Sequence, residues 1–164
     1  MASIEEITKI ILIGCGATLV MDIWLVGLKR IGVPTMNFAL IGRWVGHLRH
    51  RQFAHAAISK ASPIAHETLL GWIIHYVTGI AFACLLTAVA GTGWIAAPSP
   101  CIALLVGMGT VVFPLLVMQP AMGLGIAATK TPTPIRNCLK SLVNHSVFGL
   151  GLFLSACFIA WISR

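Results

Sequence analysis

Four long apolar runs dominate the chain: Ile7 to Leu28, Thr68 to Ala90, Cys101 to about Ala127, and Leu139 to Ile162. Each is near or above the roughly 20 residues that cross a hydrocarbon core of about 30 Å. They predict four membrane-spanning helices, because lipid offers exposed backbone N–H and C=O groups no partner and a helix satisfies them within itself. The third run contains Pro114 and Pro120, each of which removes a backbone donor, so a kink or break is expected in its second half. Between the first two runs, residues 37–50 read NFALIGRWVGHLRH, with Phe38, Ile41, Trp44, Val45 and Leu48 at helical spacing and Arg43, His47 and His50 on another face. That pattern predicts a short cytoplasmic interfacial helix with Trp44 at headgroup depth and Arg43 near lipid phosphate or the bundle mouth. Glu67 is expected to stabilise the first turn of the second span. The fold class is therefore an all-α integral membrane protein, a four-transmembrane-helix bundle forming a single domain over 1–164.

Composition agrees. Hydrophobic residues make up 58% of the chain and charged residues 9%, against about 25% charged in soluble domains. The net charge of +7 would suggest a nucleic-acid partner in a soluble protein, but nine of the eleven Lys and Arg residues sit in or beside two of the three connections, and residues 91–100 have none. This is the positive-inside pattern, so a lipid bilayer is the expected partner, with no nucleic acid. It turns both termini away from the cytoplasm. Leu12-Ile13-Gly14-Cys15 imitates a lipoprotein cleavage box, yet Glu5 and Glu6 stand where a signal peptide carries positive charge and the apolar run continues past Cys15; a retained helix is expected. The five cysteines have no C-x-x-C spacing, which argues against a disulfide framework and a zinc knuckle.

With orientation fixed, the rare polar residues of the spans can be ranked by depth. Asp22, His75, Gln119, Asn144 and His145 each fall on the order of 10 Å inside the cytoplasmic face at 1.5 Å per residue. Intramembrane polar residues turn away from lipid, so these are expected to converge, with Arg43 at the entrance. The chain also reads as a tandem repeat of helix pairs: Gly14-Cys15-Gly16 corresponds to Gly107-Met108-Gly109, and His75 and His145 are each followed four residues later by glycine, Gly79 and Gly149. Close helix packing is the preferred reading of those glycines; room for a bound species beside the imidazole is the alternative.

Asp22 within GATLVMDIW, Gly42-Arg43-Trp44 with His47, Gly71-Trp72 with His75-Tyr76, Met118-Gln119-Pro120-Ala121-Met122-Gly123, and His145 before Phe148-Gly149 together resemble the bacterial inner-membrane family catalogued as domain of unknown function 2938. The likeness extends over nearly the whole chain in the same order. It implies a small polytopic membrane protein and supplies no mechanism.

The residues themselves leave several functions open. Binding or transport of a small solute or ion would use Asp22, His75, Gln119, Asn144 and His145 as the lining of a cytoplasm-facing cavity, the histidines exchanging protons; four helices are few for alternating access, so a homodimer is expected. A cofactor reading makes His75 and His145 ligands of haem iron or of a divalent metal, although no metal motif is present and His66-Glu67 lacks the second histidine of H-E-x-x-H. Catalysis ranks last, since there is no nucleophile elbow, phosphate loop or paired carboxylate. A structural or accessory subunit, its polar residues serving only as interhelical glue, competes with all three.

Overall fold

A computed structural model describes residues 3–163, and every described element is helical. In chain order these are α1 (Ile4–Arg30), α2 (Phe38–Leu48), α3 (Glu67–Ala90), α4 (Pro100–Gly109), α5 (Gln119–Ala121) and α6 (Pro134–Ile162), with a π-helical stretch at Pro114–Met118 and short 3-10 turns at Ile58–Lys60, Thr92–Ile95 and Ile126–Ala128. Ile4–Arg30, Glu67–Ala90, Pro100–Ala121 and Pro134–Ile162 are long and apolar enough to cross a membrane.

Local chemistry sets the ends of these elements. Ser3 and Glu6 form a capping box on α1, Ser3 Oγ accepting from the Glu6 N–H at 3.2 Å while Glu6 Oε2 accepts from the Ser3 N–H at 2.8 Å. Lys29 and Arg30 sit at the negative end of its dipole. Asn37 caps α2 through Oδ1, which accepts from Ala39 N–H at 3.0 Å. Pro100 and Pro134 each open a helix, where a missing N–H costs nothing. The third span is disturbed beside its prolines: α4 ends at Gly109, helix resumes at Val112 after a turn at 110–111, widens into the π turn over Pro114–Met118, and stops after Ala121. At that turn the Gln119 N–H reaches back five residues to the Pro114 carbonyl, the wider loop of a π-helix.

The chain divides into two compact units. The first comprises Met1–Thr35, Tyr76–Thr110 and Val143–Arg164. Its core gathers Ile13 and Ala17 of α1, Phe82 and Leu86 of α3, Ala103 of α4, and Phe148, Leu152 and Ala156 of α6. Lipid is as apolar as leucine, so burial does not drive such helices together; close packing does. Two glycine crossings supply it. A Cβ on Gly14 would lie 2.6 Å from Ile80 Cα and 3.0 Å from the Gly79 carbonyl, and one on Gly107 would lie 2.7 Å from Gly149 N and 2.9 Å from the His145 carbonyl. A threonine follows each: Thr18 Oγ1 donates to the Gly14 carbonyl at 2.8 Å, and Thr110 Oγ1 to the Gly107 carbonyl at 2.6 Å. The pairs α1–α3 and α4–α6 therefore each meet at glycine, on the glycines that align in the tandem reading. Gly79 and Gly149 are filled by the neighbouring helix, which favours the packing explanation over a ligand space beside each histidine.

The second unit comprises Met36–His75 and Val111–Leu142. Here α2 lies backbone to backbone on the start of α3. A side chain on Gly42 would strike the Glu67 carbonyl, and one on Gly71 the Phe38 carbonyl. Ile58, Met122 and Ala128 are its buried hydrophobic residues among those described.

The crossing predicts a contrast between two glycines on one helix. Gly107→Ala is expected to destabilise by about 1–3 kcal/mol through overpacking. Gly109→Ala, with nothing within 4 Å of the added carbon, should be neutral or stabilising by up to about 1 kcal/mol. Equilibrium unfolding in mixed detergent–SDS micelles measures both, and equal losses would refute the close approach.

Candidate functional site

The sequence candidates fall into both units. Asp22, Asn144 and His145 belong to the first; Arg43, His75 and Gln119 belong to the second.

In the first unit each candidate bonds a side chain from another part of the chain. Asp22 on α1 accepts from Tyr76 Oη on α3 at 2.9 Å, and Asn144 on α6 accepts from Trp24 Nε1 on α1 at 3.0 Å. His145 on α6 meets Thr110 Oγ1, just past α4, at 2.8 Å. Because the Thr110 hydroxyl already spends its single proton on the Gly107 carbonyl at 2.6 Å, it accepts from His145, which assigns the Nδ1–H tautomer. The Phe82 ring lies 6.3 Å from this imidazole.

In the second unit His75 is flanked by aromatic rings, its centroid 4.4 Å from Phe38 and 5.8 Å from Trp72. Gln119 ends the π turn and is only 5% exposed. Its backbone carbonyl accepts from Leu124 N–H at 2.8 Å, but its side-chain Oε1 is buried and has no hydrogen-bond partner among the described residues. An unsatisfied buried carbonyl carries a desolvation penalty of about 1–3 kcal/mol.

Arg43 does not present its guanidinium to an opening. Nε and Nη2 grip Glu67 at 2.9 and 2.8 Å, a bidentate fork, and Nη1 donates to the carbonyls of Ile58, Ser59 and Ala61 at 3.3, 3.4 and 3.0 Å. Glu67 also accepts from Ile64 N–H at 3.2 Å. The hydrogen-bonded Glu67 carboxylate holds the Arg43 guanidinium above its ordinary pKa. Arg43 thus ties α2, the 58–61 turn and the start of α3 together.

Sequence reasoning put His47 on a cationic face and passed over His55. Both are buried, at 8% and 9% exposure, and they bond directly, His47 Nδ1 to His55 Nε2 at 2.7 Å, with His47 Nε2 also 3.0 Å from the Ser62 carbonyl. His55 Nδ1, like Gln119 Oε1 and Trp94 Nε1, is a buried polar atom without a hydrogen-bond partner among the described residues. Main-chain bonds fix this segment: His55 N–H to Ala121 O at 2.8 Å and Ile58 N–H to Met122 O at 3.1 Å. The apolar character of 53–58 carries no periodic signal, so only the fold brings the two rings together.

Among the described residues no group of three or more His, Cys, Asp or Glu side chains is placed to hold a metal ion.

The fork predicts strong coupling. Arg43→Met and Glu67→Met are each expected to cost about 2–4 kcal/mol, since each strands the other charge in a mostly buried site. The double variant should cost less than the sum by more than 1 kcal/mol. Additive losses in the same unfolding assay would mean that the pair is not a clamp.

No match to the chain was found among curated proteins or among solved structures. One family matches over most of its length, residues 11–159, and is described as "Protein of unknown function (DUF2938)". With an all-helical fold and four helices able to span a membrane, the chain belongs to this DUF2938 family.

Proposed function

We propose that this protein binds or transports a small solute or ion from the cytoplasmic side of the bacterial inner membrane, and that Gln119 is its ligand group. The observation that carries the reading is the bare Gln119 Oε1, buried where the π turn that disturbs a membrane-length helix ends. Broken membrane helices place backbone and amide carbonyls beside a bound species, and irregular backbone at that depth is tolerated where it lines a cavity or is covered by protein. A carbonyl oxygen accepts hydrogen bonds and carries partial negative charge, so the ligand is a monovalent cation or a neutral solute that donates hydrogen bonds, not an anion. His75, with its imidazole among Phe38 and Trp72, belongs to the same unit and offers a second polar group. Lys and Arg flank the 31–66 and 122–133 connections, which supports a cytoplasmic position for both, periplasmic termini, and an interfacial position for α2.

A second reading has its own support. Asp22–Tyr76, Asn144–Trp24 and His145–Thr110 are each satisfied side chain to side chain, as interhelical bonds worth about 0.6 kcal/mol on average would be. On that reading the protein is a structural or accessory subunit.

The two readings separate in a melting experiment on detergent-purified protein. At matched ionic strength, sodium, potassium or ammonium chloride is compared with choline chloride, and glycerol with no addition. The site reading expects at least one probe to raise the melting temperature, as selective binding to the native state must. Gln119→Leu should abolish that rise without lowering the baseline, because it exchanges an unsatisfied carbonyl for apolar surface. If none of these probes stabilises the protein, the structural reading takes its place. Orientation is tested by fusions to the C-terminus: alkaline phosphatase should be active and green fluorescent protein dark, and the reverse pattern would invert the topology.

A further inference from the structure

We infer that His47 and His55 form a one-proton binding site whose open position is His55 Nδ1, held between α2 and the segment that follows Gln119.

The assignment follows from counting protons. The Ser62 carbonyl has only lone pairs, so His47 Nε2, 3.0 Å away, carries a hydrogen and donates it. A neutral imidazole has one N–H, so His47 Nδ1 is an acceptor. The contact at 2.7 Å is then made by an N–H on His55 Nε2. That leaves the lone pair on His55 Nδ1, which is buried and has no hydrogen-bond partner among the described residues. Three ring nitrogens form a directed chain that ends at Ser62, and the fourth is a base.

The capacity of the pair follows from the same geometry. An incoming proton forms a bond to the His55 Nδ1 lone pair and breaks none, giving one imidazolium. The bridging proton can then pass from His55 Nε2 to His47 Nδ1, which moves the positive charge onto His47 while the 2.7 Å contact persists. The chain stops there, because the Ser62 carbonyl is not a base that can carry the proton onward; the pair stores a proton and does not conduct it. A second proton would require N–H groups on both facing nitrogens, and two donors do not share a contact of that length. The bond would break.

The charged neighbours are few. α2 contributes Arg43 and α3 contributes Glu67, and these two neutralise each other in the bidentate fork. The Glu67 carboxylate is within electrostatic range of His47. The segment Ala121, Met122 and Gly123 brings no titratable side chain. Arg49, His50, Arg51, Lys60 and His66 are exposed. A metal ion is a poorer occupant than a proton, since among the described residues no third His, Cys, Asp or Glu ligand stands with the two imidazoles and three of their four nitrogens are already engaged.

Losing the bond would have a local consequence. His55 N–H and Ile58 N–H hold the carbonyls of Ala121 and Met122, and Gly123, at φ +89°, leaves no room for a side chain against the carbonyls of His55 and Ala56. The imidazole pair is therefore one of the side-chain links, beside Arg43 to the Ile58 carbonyl and Trp44 to the Phe53 carbonyl, that fasten α2 to the segment bonded to Ala121 and Met122.

The test uses the full-length protein with ¹⁵N-labelled histidine in lipid nanodiscs, its ring nitrogens followed by NMR from pH 8.5 to 5. Single His→Gln variants at 50, 66, 75 and 145 identify the other rings. At high pH both His47 and His55 should be Nε2–H tautomers, with a nitrogen–nitrogen coupling between His47 Nδ1 and His55 Nε2. On acidification His55 Nδ1 should be protonated first with the coupling retained, and a separate second step should abolish it. An Nδ1–H tautomer on His55 at high pH, absence of the coupling, or protonation of both rings in one step would each overturn the assignment. No solute enters this measurement, so a failed melting screen and a failed tautomer assignment remain separate results.

Discussion

Backbone-to-backbone approach at glycine is the constraint on which the rest of this structure depends. In lipid, helices gain little from burying apolar side chains against one another, so contact distance governs how well they hold. Gly14 against Gly79 and Gly107 against Gly149 bring two helix pairs of the first unit into backbone contact, and Gly42 against Gly71 does the same for α2 and α3 in the second. Each approach then determines which side chains can meet. Arg43 and Glu67 can form a two-point fork because they stand beside the Gly42–Gly71 contact. Thr110 reaches His145 because Gly107 and Gly149 let their helices touch.

That closeness explains how the polar groups of the first unit are tolerated. An isolated carboxylate, amide or imidazole in a membrane helix is costly, but Asp22, Asn144 and His145 each find a hydroxyl or an N–H group from another part of the chain. These bonds contribute to cohesion and leave fewer open valences for a ligand. Gln119 contrasts with them. It stands where two prolines have already disturbed the backbone ladder, it is as buried as the core, and its carbonyl is left bare. A residue in this position costs stability that an apolar side chain would not, which is why the reading of function rests on it.

Much of this was legible in the sequence, and the gaps have physical causes. Four uninterrupted apolar runs can only be helices in lipid, so Ile4–Arg30 and Pro134–Ile162 differ from the expected 7–28 and 139–162 mainly by turns whose caps and prolines lie outside the apolar pattern. Pro114 and Pro120 marked the break because a missing N–H is a local fact. The periodicity of 37–50 identified α2, but the close approach of Gly42 to α3 was not read from it. Partner choice was not legible. Arg43 was expected to face lipid phosphate or an opening, but its fork fits Glu67, 24 residues on, and nothing in the spacing announces that match. Depth arithmetic placed Asp22, Asn144 and His145 at one level without indicating that Tyr76, Trp24 and Thr110 would take them. His47 and His55 meet through the irregular fold of a connection, where no period exists to be read.

That connection is where the chain concentrates its versatile chemistry. A membrane span must satisfy every backbone group locally, which leaves few conformations and makes each polar side chain expensive. The 31–66 connection is not so restricted. It can turn back on itself with Arg43 collecting three of its carbonyls, set two imidazoles in contact, and lay its main chain along Ala121 and Met122. The broken third span and the long connection complete each other: the break exposes carbonyls at 121 and 122 that a continuous helix would have used, and the connection supplies the N–H groups that take them. Shortening the connection or restoring a regular helix would remove the other's partner, so the proline break and the buried histidine pair are two consequences of one local arrangement.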